Sequence, residues 1–144
     1  MQVDFYRIAT IETLPRWHMI CRLIAKAYQK KHHIHIHCNN QSDAHTLDEL
    51  LWTFKDDSFI PHTFIGDGPD FPPPVRLGYD NLIPTSRDIL INLAQAIPSF
   101  HKQFKRILEV VSDDALQKEI CREHYRLYRE WGYELNTHQV SNNG

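Results

Sequence analysis

The chain opens on a period of two. Residues Val3-Asp4-Phe5-Tyr6-Arg7-Ile8 change type along the run, as on a strand with one packed face. The period then lengthens: Trp17, Ile20, Cys21, Ile24, Ala27 and Tyr28 recur at helical spacing and predict a helix. Thr13 is its expected N-cap, Pro15 suits its first turn, and Lys30-Lys31 marks its basic end. A second strand is predicted over 34–38. Ser42 is expected to cap a second helix whose apolar face is Leu47, Leu50, Leu51 and Phe54. This βαβα opening is the start of an α/β domain with a partly parallel sheet.

The remainder is patterned differently. Residues 55–88 hold Pro61, Gly66, Gly68, Pro69, Pro72-Pro73-Pro74, Gly78 and Pro84, so ordered turns are expected there, with short strands over 63–65 and 75–79. Ile89-Leu90-Ile91-Asn92-Leu93 is almost unbroken apolar, the pattern of a strand covered on both faces. A short helix over 99–104 and a strand over 106–111 follow. The clearest helix, 113–131, is stopped by Gly132 at C′. A short extended piece over 133–136 leads into polar sequence. One domain is expected over 1–138, with 139–144 as a polar C-terminal tail.

Composition narrows the class. A chain of 144 residues can remove roughly 70% of its unfolded surface from water around one core. With 42% hydrophobic and 24% charged residues it is globular, not disordered. Sixteen Lys+Arg against eighteen Asp+Glu leave a formal charge of −2, so the surface as a whole is not built for nucleic-acid phosphates. No apolar run approaches the ~20 residues of a membrane span, and Asp4, Arg7 and Glu12 interrupt any leader-like stretch. Cys21, Cys38 and Cys121 are odd in number and in no CxxC arrangement, as expected of packing residues in a reducing compartment. These features predict a cytoplasmic protein.

Candidate chemistry is sparse. His33, His35 and His37 share one face of the second strand, opposite Ile34, Ile36 and Cys38. H-x-H can present two imidazoles to a metal, but only His45 stands near enough in sequence to add a ligand. No HExxH or carboxylate cluster accompanies it. A half-solvated histidine face is expected, with no metal and no cofactor. Gly66-Asp67-Gly68-Pro69 lacks the third glycine and the Lys-Ser/Thr of a phosphate loop, and it opens no helix. Ser86-Arg87-Asp88 makes no triad. No nucleophile, acid and base converge in the sequence, so the chain is not expected to be an enzyme by itself.

The last helix carries more. At ~100° per residue, Leu116, Ile120, His124, Leu127, Tyr128 and Trp131 form one stripe, the expected core face. Lys118, Arg122, Tyr125, Arg126 and Arg129 fall in an opposite sector about 100° wide, and Glu119, Glu123 and Glu130 lie in a strip between. A near-neutral chain thus gathers four cations and a tyrosine in one band. One reading is a solvated face held by Glu–Arg pairs. The other is a cationic groove with an aromatic wall, suited to an extended acidic peptide or its terminal carboxylate. Single-stranded nucleic acid is the competing ligand. On the second helix Trp52 lies about 140° from Leu47, off the core stripe, and leads into Ser58-Phe59-Ile60-Pro61-His62. That apolar run is either stray exposed aromatics or a partner-docking patch.

Three blocks carry a family resemblance: LDELLWTFKDDSFIPHTFIGDGP (47–69), SRDILINL (86–93) and REHYRLYREWGYELNT (122–137). In order and over most of the chain, they resemble the chi subunit of bacterial DNA polymerase III. The resemblance implies a single-domain three-layer α/β/α fold with a mixed, largely parallel sheet, Rossmann-like without a nucleotide site. It also implies a non-catalytic accessory of the DNA polymerase III holoenzyme, tied to DNA-directed DNA polymerase (nucleotidyltransferase) activity only through that assembly. Such a subunit bridges the clamp loader, via a psi subunit, to the acidic C-terminal tail of single-stranded-DNA-binding protein during replication, and meets DNA only indirectly. The family's tail-binding positions fall on Lys118, Arg122, Tyr125 and Arg126, with Val111 bordering the same pocket. The psi-facing patch falls on Phe59, with Trp52 beside it. Arg126 stands where the family pattern has Lys, presenting a planar fork where a point donor is usual. The alternative class of function is a direct single-stranded-DNA-binding module or a helicase or repair accessory.

Overall fold

In the computed structural model, which describes residues 1–54, 60–65, 73–80 and 82–140, the alternation of strand and helix becomes one seven-stranded sheet. The elements are β1 (Gln2–Ile8), α1 (Thr13–Gln29), β2 (Ile34–Cys38), α2 (Gln41–Thr53), β3 (His62–Phe64), β4 (Val75–Tyr79) and β5 (Ile89–Asn92). A 3-10 helix (Ser99–Gln103), β6 (Arg106–Val111), α3 (Ala115–Glu130) and β7 (Glu134–Val140) follow among the described residues. The strand order is β3-β4-β2-β5-β6-β1-β7. The expected α/β/α class holds, and the sheet is more uniform than the mixed one expected: every pairing is parallel.

Helices cover both faces. On one, Trp17, Ile20 and Ile24 of α1 and Leu47 and Leu51 of α2 pack on Ile34, Ile36 and Leu77. On the other, Cys121 and Tyr128 of α3 and Phe100 and Phe104 around the 3-10 helix pack on Val3, Phe5, Leu90 and Ile107. Sandwiching between two layers leaves β2 and β5 buried along their whole length, which is why 89–93 has no polar alternation.

Several local expectations change. The N-cap of α1 is Glu12, without a side-chain bond, and Thr13 is already helical. Pro15 is still tolerated, because first-turn N–H groups have no intrahelical partner. Asn40, not Ser42, caps α2: its side chain accepts from the Asp43 N–H at 2.8 Å, starting the helix two residues earlier. Asp114 caps α3 through the Gln117 N–H, and Gly132 at φ +80° ends the element as expected.

The histidine face of β2 is not half-solvated. His35 and His37 are buried under Phe100 and Phe104, with ring centroids 5.2 to 6.1 Å apart, while His33 lies exposed before the strand. The short helix expected over 99–104 is the 3-10 helix that covers them, but nothing in its sequence shows that Phe100 and Phe104 pack on β2. Gly78 on β4 makes room beside His35, since a Cβ there would lie 2.7 Å from the ring Cε1.

Strand β7 outruns the expected piece over 133–136. It pairs with β1 from Glu134 to Val140, taking in Gln139 and Val140, which the sequence places in the polar tail. As an edge strand with polar residues at most positions, it is held by backbone pairing, and hydrophobic alternation does not reveal it.

The packing of α3 is also turned. Its buried residues are Cys121, His124 and Tyr128, whereas Leu116 and Trp131 of the expected core stripe are 56% and 44% exposed. At ~100° per residue the helix is rotated by about 60° from the expected face. The cause is polar and lies beneath the helix: His124 pairs with Glu109 on β6.

Candidate functional site

The rotation of α3 opens a cavity of about 240 Å³ between the helix and the sheet edge. Strand alternation puts Phe5 and Arg7 of β1 on the face toward α3. Parallel register sets Val111 of β6 beside Arg7 and Thr137 of β7 beside Phe5. These four residues line the cavity from the sheet, and Lys118, Cys121, Arg122 and Tyr125 line it from α3 at the i, i+3, i+4, i+7 spacing of one helix face. Tyr125 rests its ring on Phe5, with centroids 5.5 Å apart, and leaves part of its surface open.

Four of the five residues predicted for a tail site, Lys118, Arg122, Tyr125 and Val111, are thus brought together. Arg126 is not among the lining residues. It lies about 40° nearer the acidic strip than Arg122 does. Its guanidinium is shared between Glu123 and Glu130, one turn away on either side. The acidic and basic strips of α3 are therefore joined at Arg126. Arg129 also lies outside the lining.

Sequence reasoning missed Phe5, Arg7, Thr137 and Cys121. Arg7 carried a signal: it is a cation on the same strand face as Val3 and Phe5, where a buried residue would be apolar. Thr137 carried none, because its strand was read as too short.

Two other cations of the cavity are tied to one acid. Arg7 Nη2 lies 3.3 Å, and Lys118 Nζ 3.7 Å, from Asp113 Oδ1. Among the described residues Arg122 makes no ion pair. The lining therefore holds three cations, an aromatic wall and an apolar floor, with Asp113 at its edge. Such a site holds carboxylates by charge-assisted hydrogen bonds and receives an apolar or aromatic group between Phe5, Val111 and Tyr125. Cys121 adds no thiolate, because burial pushes its thiol up to about 12. Burial does the same to Cys21 and Cys38.

A buried polar network holds α3 at this angle. The Glu109 carboxylate accepts from Tyr128 OH at 2.6 Å, from His124 Nδ1 at 2.9 Å and from Asn92 Nδ2 at 3.2 Å. The other His124 nitrogen, Nε2, donates to the Gln95 carbonyl at 2.8 Å. Burial opposes a charge on His124, but the Glu109 bond and charge outweigh it and raise its pKa.

Elsewhere, Trp52 is 49% exposed at the end of α2, its ring tilted against that of His62 with centroids 4.3 Å apart. Phe59 and the Gly66-Asp67-Gly68-Pro69 sequence lie outside the described residues. Burial, with smaller contributions from His37 and Arg76, pushes His35 down to about 3, so it packs as a neutral ring. Among the described residues no three His, Cys, Asp or Glu side chains group as metal ligands. Asp88 accepts from His32 Nδ1 and the His33 N–H. Among the described residues no helix is long and apolar enough to cross a membrane.

The family model described as "DNA polymerase III chi subunit, HolC" matches residues 1–136. The chain belongs to the chi family. A DNA polymerase III subunit chi of Pseudomonas aeruginosa is 34% identical over 139 residues, covering 96% of each chain. The chi of Haemophilus influenzae is 34% identical over 140 residues, with 95% of this chain and 96% of that one covered. The Escherichia coli chi is 32% identical over 120 residues, with 83% and 82% covered. Family membership makes this chi-type chain an accessory subunit of DNA replication. A solved T4 UvsW structure superposes with a TM-score of 0.62 at 11% identity, a likeness of fold alone. That match takes in 98% of this chi-family chain, which spans 41% of the UvsW chain.

Proposed function

We propose that this chi-family chain is a non-catalytic, cytoplasmic bridge in the replisome, whose α3 cavity takes the acidic C-terminal tail of single-stranded-DNA-binding protein. The observation that carries this reading is the cavity itself. Lys118, Arg122 and Arg7 line it together with apolar Phe5 and Val111 and the ring of Tyr125. A peptide that ends in acidic residues, an apolar side chain and a free carboxylate matches both halves. Arg122 takes the terminal carboxylate, Lys118 an acidic side chain, and Tyr125 and Val111 the apolar end. Arg126, tied to Glu123 and Glu130, contributes least. The second contact of the bridge, toward a psi subunit and through it the clamp loader, uses Trp52 at the end of α2 together with Phe59.

Titration with a synthetic acidic tail peptide tests the site. Arg122→Ala and Tyr125→Ala should each cost about 1–3 kcal/mol of binding, and affinity should fall as salt rises. Parent-like binding by both variants overturns the assignment. Tight binding of bare oligonucleotide by the isolated chain would favour the direct single-strand reading.

A further inference from the structure

We infer that Arg7 is a further binding residue of the α3 cavity and that Asp113 is its built-in competitor, setting how tightly an acidic ligand is held. The inference rests on the tail-site reading and deepens it. Three cations line the cavity, but two of them, Arg7 and Lys118, already converge on one carboxylate oxygen of Asp113. That oxygen occupies a position where a ligand carboxylate would gain the same two partners.

The competitor is held in place by the chain. The Asp113 N–H donates to the Thr10 carbonyl at 2.7 Å, fixing the β6–α3 connection against the β1–α1 connection. The next residue, Asp114, caps α3, so the side chain of Asp113 is not needed for that role. The Asp113, Lys118 and Arg7 side chains are all partly exposed. Exposed pairs of this kind are weak and exchangeable. An incoming carboxylate can therefore replace Asp113 on Arg7 and Lys118, and its affinity is the difference between the pairs made and the pairs lost. Arg122 has no ion pair among the described residues, so it engages an anion without that cost. The cavity thus discriminates between a first carboxylate, taken by Arg122, and a second one, which must displace Asp113.

Calorimetric titration of one synthetic peptide, acidic and ending in a free carboxylate, compares the parent with Asp113→Asn, Arg7→Gln, the double variant and Arg122→Ala. Asp113→Asn should tighten binding about three- to tenfold at low salt, and Arg7→Gln should weaken it by a similar factor. The gain from Asp113→Asn should shrink in the Arg7→Gln background, because one of the two cations it frees is gone. Asp113→Ala serves as a second charge-removing variant, and thermal melts verify that each protein is folded. Unchanged or weaker binding by both Asp113 variants, with Arg122→Ala still weakening, overturns this inference alone. Parent-like binding by Arg122→Ala overturns the tail site, and the competitor with it.

Discussion

Replacing His124 with leucine tests whether the buried network fixes the last helix. His124 and Glu109 are each 3% exposed, and their charges face each other at 2.9 Å. Both imidazole nitrogens meet acceptors, Nδ1 the Glu109 carboxylate and Nε2 the Gln95 carbonyl, so the ring is held as a cation. Leucine preserves apolar volume but leaves the carboxylate with only the neutral donors of Tyr128 and Asn92. Removing one partner of a buried ion pair costs about 3–5 kcal/mol, and the surviving donors favour the lower end, about 3 kcal/mol. That is a large share of a stability on the order of 5–15 kcal/mol. It corresponds to a fall in melting temperature of roughly 6–12 °C.

Urea unfolding followed by tryptophan fluorescence should show a lower midpoint with an unchanged slope. The pH dependence has a definite sign. A histidine whose folded pKa is raised stabilises fully below its unfolded value, 6.5, and this contribution is lost as pH rises through the folded value. The gap between parent and variant should therefore be widest below 6.5 and narrow as pH rises through the raised folded value. A cost below about 1 kcal/mol at the lower pH, or a gap that widens as pH rises, refutes the reasoning.

Other outcomes follow from single contacts. Asp4 is buried; burial opposes its charge, but His138 and Arg106, whose Nε is 2.7 Å away, outweigh that and lower its pKa. Its stabilisation is intact above 3.8 and is lost as pH falls through the lower folded value. Asp4→Asn should cost about 2 kcal/mol at neutral pH and flatten the acid limb of the stability profile. Gly78→Ala should destabilise by about 1–3 kcal/mol, because its methyl meets the His35 ring at 2.7 Å and Ile65 at 3.1 Å. An unchanged urea midpoint would show that the ring moves aside freely. Arg126→Ala should leave tail-peptide affinity within about twofold, since its bonds to Glu123 and Glu130 are exposed and weak. A loss as large as that of Arg122→Ala would place Arg126 in the site.

The strand–helix order was legible where an element carries its own pattern, a helical stripe or a short apolar run between turn residues, and 106–111 and 75–79 coincide with β6 and β4. What it hid depended on partners distant in the chain. The cover over His35 and His37 comes from Phe100 and Phe104, more than sixty residues away, so β2 alone looks half-wet. Strand β7 depends on backbone bonds to β1. Within the site, the spacing of Lys118, Arg122 and Tyr125 was visible as one helix face. Phe5, Arg7 and Thr137 come from two strands at opposite ends of the chain, and only parallel pairing puts them side by side.

The orientation of α3 joins these points. Its apolar residues alone would turn Leu116, Ile120, Leu127 and Trp131 inward, about 80° from where the helix lies. In that orientation Lys118, Arg122 and Tyr125 would swing away from Phe5 and Val111, leaving a solvated charged face. Glu109 prevents this by drawing His124 and Tyr128 beneath the helix, while the small side chain of Cys121 lets that edge approach the sheet. A buried charge pair is weak evidence for stability, but it can specify one arrangement among several hydrophobic ones. Here the arrangement specified is the one with a cationic, aromatic-walled cavity. His124→Leu should therefore weaken tail-peptide binding as well as stability, though His124 does not line the cavity. Unchanged affinity in the folded variant would mean that apolar packing alone sets the angle of α3.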